Sequence, residues 1–313
     1  MSLTAVVTGG AGFIGANLVR RLLSEGYATH VFERPETGLW RIKDITNDVV
    51  VHYGDIGDYA WAKLELAAIK PDVIIHCAQY GGYPFQKDVD VVFGVNTLAA
   101  INFLRAAQEI GFVRFVHTGS SSEYGAKTTP MSEGDMIEPN NAYAVSKAAA
   151  TLYAAHRGRE GKLPIVILRL FSVYGPWEEP TRLMPTAMMK ALKGEDIPLV
   201  APTVARDFTH IDDVVDAYMA AIAVPVARGE IVNVCSGRQQ TLQDVGSSIL
   251  AATGAKSKIV WGAEGRSYDT DRWVGDPSFA KKFLGFETKI NLEDGIAKTV
   301  AWFKSHGKEY EKS

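Results

Sequence analysis

Tyr143 and Lys147 stand four residues apart in the run Tyr143-Ala144-Val145-Ser146-Lys147. On a helix, residues four apart share one face. An ammonium held near a tyrosine hydroxyl favours the phenolate and lowers its pKa, which makes the phenol a usable base near neutrality. The same lysine can hold a ribose hydroxyl. Y-x-x-x-K pairs are common by chance and most only pack, so this one needs a third group before it implies chemistry. Ser120 supplies it: it follows the predicted strand 113–118 and precedes the helix of Tyr143. A serine hydroxyl there can hydrogen-bond a substrate oxygen that gains or loses a proton.

A second set of residues suits an anionic cofactor. Thr8-Gly9-Gly10-Ala11-Gly12-Phe13-Ile14-Gly15 follows an apolar run and opens a helical pattern. Glycines 10, 12 and 15 fit G-x-G-x-x-G, and Gly9, Gly12 and Gly15 fit the looser G-x-x-G-x-x-G. Glycines permit the tight turn, bare backbone admits a pyrophosphate, and the helix N-terminus offers unpaired N–H groups to the anion. An acid, Glu33, closes the next predicted strand, where the adenosine ribose of NAD is bound. Arg34 beside it keeps NADP open, since an arginine there attracts the extra phosphate, but the carboxylate repels it and NAD is the reading. Asp55 and Ile56, after the third predicted strand, are placed to flank the adenine.

The elements that must position these groups are legible as alternation. Runs 5–8, 28–32, 49–53, 73–76, 113–118, 165–170 and 231–234 are nearly continuous apolar, β-branched stretches, the pattern of strands covered on both faces. Helical patterns lie between them at 13–24, 59–68, 91–110, 143–156 and 212–223. Alternation of this kind predicts an α/β fold with a doubly wound parallel sheet, a dinucleotide-binding Rossmann arrangement, and a smaller α/β C-terminal substrate domain. Proline punctuation after Tyr174-Gly175-Pro176 puts the division at 1–175 and 176–313, with a segment of about 206–235 returning to the main sheet. Residues 291–305 read as an amphipathic surface helix followed by a polar tail. Asp212 and Asp213 are read as helix caps, and His117 and His210 as structural.

Composition narrows the partners. Across 313 residues, 33 Lys+Arg face 36 Asp+Glu for a net charge of −3, so no basic excess drives nucleic-acid or anionic-membrane binding. No unbroken run of about 18 apolar residues predicts a membrane span. Cys77 and Cys235 form neither a disulfide framework nor a metal knuckle, so no metal is expected and a reducing, cytoplasmic setting fits. No H-E-x-x-H zinc motif and no G-x-S-x-G elbow occurs.

Taken together the motifs resemble the extended short-chain dehydrogenase/reductase family, in its nucleotide-sugar epimerase/dehydratase branch. The resemblance runs through TGGAGFIG, His76-Cys77-Ala78, the helix of Asn96, FVHTGSSSEYG (115–125), YAVSK (143–147), RLFSVYGP (169–176) and RDFTHIDD (206–213). It implies catalytic roles for Ser120, Tyr143 and Lys147. It also implies a cofactor cleft lined by Phe13, Ile14, Cys77, Ala78, Asn96, Thr118 and Phe171. On the substrate side it implies Ser121, Ser122, Ser172, Arg182, Arg206, Arg266 and Asp269, with the arginines gripping a diphosphate through their planar forks. A homodimer built from helices 91–110 and 143–157 is implied as well.

Two departures shape the expected reaction. In the dehydratases of this branch the catalytic hydroxyl residue is followed by at least one acid that eliminates water; here Ser121 and Ser122 follow, and Glu123 comes one residue late. Ser172 stands where the branch usually has Asn. The resemblance therefore implies a nucleotide-diphosphate-sugar epimerase acting at C4 through a keto intermediate. A 4-keto-sugar reductase using NAD(P)H is the alternative, and a catalytically silent dinucleotide-binding sensor or scaffold is a third reading. The loop 79–86 (QYGGYPFQ) suits a position beside the sugar, but its role cannot be read from sequence.

Overall fold

The computed structural model describes residues 2–83, 85–265 and 270–310. The expected strands form as β1 (Thr4–Thr8), β2 (Ala28–Glu33), β3 (Val50–Tyr53), β4 (Val73–His76), β5 (Arg114–Ser120), β6 (Ile165–Leu170) and a closing strand, Glu230–Val234. All pair in parallel, in the order closing strand, β6, β5, β4, β1, β2, β3. The order reverses at β1, which lies between β2 and β4. Loops leaving the carboxyl ends of β1 and β4 must diverge there, which opens a crevice.

Burial on both faces follows from the apolar runs. Helices α1 (Phe13–Ser24), α2 (Tyr59–Ile69), α3 (Val89–Phe93), α4 (Ala100–Ile110), α5 (Ala142–Gly161), α6 (Leu183–Leu192) and α7 (Ile211–Ala223) follow in chain order. One face packs Leu18, Val19 and Leu22 of α1 and Val214 and Tyr218 of α7 against Val7, Val116 and Val166. The other packs Phe103 and Leu104 of α4 and Ala155 of α5 against Ile74 and Phe115. The remaining core joins α6 to α8 (Leu242–Thr253) and α10 (Leu292–Tyr310) through Met188, Val245, Ile249, Ile296, Val300 and Phe303. The short α9 (Ser278–Leu284) packs beside the closing strand.

Local structure departs from the sequence reading in four places. The expected helix 91–110 begins at Val89 and is interrupted by a π turn at Gly94–Ala99. The Asn96 amide donates to the Ser146 hydroxyl at 2.9 Å and Thr97 Oγ1 donates to the Ser146 carbonyl at 2.9 Å, so two polar side chains draw this turn onto α5. The stretch Val89–Ile110 is by length and composition long and apolar enough to cross a membrane, although Asp90, Asn96, Asn102 and Arg105 break any pure apolar run. Here it packs against α2 and α5. The α7 N-cap is His210, whose Nδ1 accepts from Asp212 N–H at 3.2 Å, while Asp213 accepts from Lys289 and Ile290 N–H at 3.0 Å each. The last helix runs to Tyr310 rather than 305. The Tyr310 ring meets Trp40 edge-on at 5.3 Å and its hydroxyl donates to the Glu178 carbonyl at 2.7 Å, which anchors the final turn.

Candidate active site

The crevice at the sheet's carboxyl edge is a cavity of about 1000 Å³. Its first end is built by the glycine loop. Gly9 has φ +68°, and a Cβ on it would lie 2.9 Å from the Ala78 backbone. A Cβ on Gly15 would lie 2.1 Å from the Gly9 carbonyl oxygen, so only glycine lets α1 start this close to the loop. Phe13 and Ile14, at the start of α1, line the cavity where the first-turn N–H groups of a helix have no partner within it. Glu33 is buried, and one of its oxygens accepts from Ala11 N–H at 2.6 Å. Burial pushes its carboxyl up, against the pull of that hydrogen bond and of Thr37, Arg34 and Arg41. Arg34 pairs with Glu36 at 3.1 Å on the rim. Asp55 accepts from Gly57 N–H at 2.7 Å and lines the cavity with Ile56.

The second end is built where β5 stops. Ser120 is the last residue of that strand and caps the turn Ser121–Tyr124. Its hydroxyl accepts from Ser122 N–H at 3.2 Å, and Glu123 returns an oxygen to Ser120 N–H at 2.8 Å. This reciprocal box fixes Ser120 at the cavity wall. Tyr143 sits in the first turn of α5, whose N-cap Asn141 accepts from Ala144 N–H at 2.9 Å. Ser120 and Tyr143 therefore face the same space with Ser121, Ser122, Ser172, Arg182 and Arg206. Cys77, Ala78, Thr118 and Phe171 line it between the two ends.

Electrostatics of this end differ from the sequence reading. Burial pushes the Tyr143 hydroxyl up to about 12; the Ser120 hydroxyl and Arg182 pull it down, while Glu123 and Tyr83 add to the rise. Lys147 is not among the main influences on it. It is fully buried beneath the cavity floor and donates to the Thr118 carbonyl oxygen. Burial pulls its own ammonium down to about 8, opposed by the Glu123 carboxylate. The four-residue spacing does put both side chains on one helix face, but the β5 carbonyl captures the ammonium. Asn96 does not line the cleft either. It is 1% exposed, accepts from Tyr80 N–H at 2.8 Å and donates to the Tyr80 carbonyl at 2.7 Å, so it clamps the loop after β4. Arg266 and Asp269 lie outside the described residues.

Glu123 points into the protein. It is 0% exposed, accepts from Arg169 Nε and Ser120 N–H at 2.8 Å each and from Thr151 Oγ1 at 2.9 Å. Several cavity groups were not legible from spacing. Gln79 accepts from the Tyr143 hydroxyl at 3.0 Å. Trp273 Nε1 donates to Ser121 Oγ at 3.1 Å across 152 residues of sequence, and the Arg206 guanidinium lies 5.8 Å from the Trp273 ring. The Tyr218 hydroxyl lies 2.6 Å from Thr118 Oγ1 beneath Cys77. Arg41, from the turn after β2, pairs with Glu179 at 2.9 Å and donates to the Trp177 carbonyl at 2.8 Å, tying this turn to the segment before α6. Only the S-x-x-E spacing of Ser120 and Glu123 carried a local signal, that of a capping box.

Comparison with known proteins agrees with this geometry. The NAD dependent epimerase/dehydratase family model matches residues 5–235. A dTDP-glucose 4,6-dehydratase of Streptomyces griseus is 28% identical over 315 residues, spanning 98% of this chain and 95% of its relative. A UDP-glucose 4-epimerase of Mycolicibacterium smegmatis is 29% identical over 313 residues, spanning 97% and 99%. The crystal structure of UDP-glucuronic acid 4-epimerase from Bacillus cereus, in complex with UDP-glucuronic acid and NAD, superposes with a TM-score of 0.86 at 26% identity, covering 97% of this chain and 99% of that one. With the family model matching most of its length, the chain belongs to the NAD dependent epimerase/dehydratase family.

Proposed function

We propose that this chain is an NAD-dependent epimerase that inverts C4 of a nucleotide-diphosphate hexose through a 4-keto intermediate. The observation that carries the choice within the family is Glu123. A dehydratase needs an acid beside the catalytic hydroxyl residue, and here Ser120, which ends β5, is followed at the cavity by Ser121 and Ser122 while the one nearby acid is spent on Arg169, Thr151 and Ser120. The relatives divide between dehydratase and epimerase at nearly equal identity, so sequence similarity alone favours neither.

The residues at the glycine end fit the cofactor. Gly12 and Gly15 let the start of α1 pack against the Gly9 carbonyl, which brings its first turn to the cavity, and Glu33 stands at the end of β2 beside it. Glu33, with Arg34 already engaged by Glu36, supports NAD over NADP. When bound, NAD supplies a hydride acceptor that returns the hydride to the other face of the sugar.

Tyr143 takes the C4 hydroxyl proton and gives it back. Ser120 hydrogen-bonds the same oxygen and stabilises the charge that gathers there. Lys147 acts below the floor: its ammonium fixes the Thr118 carbonyl and adds positive potential under the cleft. Arg182 and Arg206 hold the diphosphate, with Ser121, Ser122 and Ser172 offering hydrogen bonds to the sugar. A homodimer is supported by exposed apolar side chains on the two expected helices, Leu98 on one and Val145 and Leu152 on the other.

The test is to incubate the purified protein with UDP- and dTDP-hexoses without added cofactor and to identify products by NMR. The 4-epimer is the expected product. A 4-keto-6-deoxy sugar, or turnover only when NADPH is added and consumed, rejects the proposal.

A further inference from the structure

Gln79 occupies a place that neither the family motifs nor the proposed chemistry uses. It follows β4, lines the cavity, and its Oε1 accepts from the Tyr143 hydroxyl at 3.0 Å. The loop around it is pinned from two sides. Asn96 holds both backbone groups of Tyr80, and Gln86 Oε1 accepts from Gly81 N–H at 2.9 Å and Tyr83 N–H at 3.3 Å. Gly81, at φ +90°, is pressed so close that a Cβ would lie 2.8 Å from Val92 Cγ2 and 3.4 Å from Tyr143 Cδ2. A Cβ on Gly82 would lie 3.5 Å from Gln79 Nε2. Gly81 thus lets the loop pass close to Val92 and Tyr143, and the surrounding hydrogen bonds hold the loop that carries Gln79.

We infer that Gln79 is a positioning residue for the acid–base step, its side-chain amide holding the Tyr143 hydroxyl and steering its proton. The inference rests on the reading of Tyr143 as the proton-handling group. A carbonyl oxygen accepts and cannot donate, so in this geometry the Tyr143 proton points at Gln79 and not at a ligand. The other groups acting on Tyr143 are the Ser120 hydroxyl at the end of β5, Arg182 ahead of α6, Tyr83 from the loop after β4 and Glu123 behind Ser120. Gln79 is the one that holds the phenol in its neutral form through an accepted hydrogen bond, and bonding to the neutral form raises the phenol's pKa alongside burial.

The test does not need the substrate. Tyrosinate absorbance is measured at one alkaline pH at which circular dichroism shows the protein folded. Wild type minus Tyr143→Phe isolates the ionised fraction of Tyr143, and the same difference is taken for Gln79→Met and Gln79→Ala. Methionine keeps the approximate length and removes the acceptor, so it serves if alanine unfolds the loop. The inference expects the Tyr143 tyrosinate fraction to rise about tenfold when one hydrogen bond to the neutral form is lost. An unchanged or smaller fraction in Gln79→Met, with only a lower melting temperature, overturns it and leaves Gln79 as a loop tether. If the fraction rises but no sugar is epimerised, Gln79 keeps this role and the reaction assignment alone fails.

Discussion

Replacing Glu123 by alanine separates two accounts of that residue. Its carboxylate is fully buried against Arg169, which is itself 2% exposed and among the described residues already has one guanidinium nitrogen without a partner. Glu123→Ala strands a buried cation and removes the acceptor for Ser120 N–H and Thr151 Oγ1. Breaking one side of a buried pair costs about 3–5 kcal/mol. At roughly 2 °C per kcal/mol for a chain of this size, the melting temperature falls by about 6–10 °C. Glu123→Gln keeps the shape and most hydrogen bonds but not the charge, and costs about 1–3 kcal/mol. The assay is thermal unfolding followed by circular dichroism, with turnover measured well below both transitions. Full stability in Glu123→Ala, combined with a loss of turnover of about a hundredfold or more, would refute the reasoning and return Glu123 to the reaction as an acid.

Tyr143→Phe lowers turnover by about 10²–10⁴-fold while the protein still retains dinucleotide, measured by cofactor released on denaturation; unchanged turnover sinks the assigned role. Gly15→Ala forces a Cβ to within 2.1 Å of the Gly9 carbonyl, so α1 must shift and the released dinucleotide per chain falls sharply; normal loading would count against the cradle. His76 is buried beside Thr8, with its Nδ1 2.8 Å from Thr8 Oγ1, and burial pushes it down to about 3 from 6.5. The unfolded chain therefore binds this proton below about pH 6.5 and the folded chain does not, so stability falls with pH between about 6.5 and 3, by roughly 1.4 kcal/mol per unit. Asp207, pushed up to about 6 by burial, acts in the opposite sense. The readout is thus the difference between wild type and His76→Phe in how unfolding free energy changes with pH, expected to be about 1.4 kcal/mol per pH unit between about pH 3 and 6.5, and no difference would contradict it. Leu152→Glu puts a charge on an exposed apolar helix face, and sedimentation is expected to show a dimer turned to monomer; a monomeric wild type contradicts the dimer.

The sheet was legible because its central strands are buried on both faces and announce themselves as apolar runs, so β1, β4 and β6 fall within a residue of their sequence boundaries. The glycine loop was legible because its constraints are local: turn, close approach and helix start lie within eight residues. Tyr143 and Ser120 were found for the same reason, each sitting at the end of an element that sequence patterning defines. What could not be read depends on contacts between distant segments. The capture of Lys147 by the Thr118 carbonyl needs the depth of α5 against β5, which spacing does not encode. The π turn at Asn96 depends on Ser146 across the helix pair. Gln79, Trp273 and Arg41 enter the cavity from loops whose paths tertiary packing decides. The extension of the last helix to Tyr310 was hidden because its anchor, Glu178, belongs to a loop far back in the chain.

The central claim is that Tyr143 and Ser120 serve a hydride that leaves C4 of a hexose and comes back to it. The most direct measurement uses a nucleotide-diphosphate hexose carrying deuterium at C4, incubated with the protein and no added cofactor. The account predicts the 4-epimer with deuterium still at C4. Deuterium lost from C4 of the product, or found at C6 of a dehydrated 4-keto sugar, would contradict it.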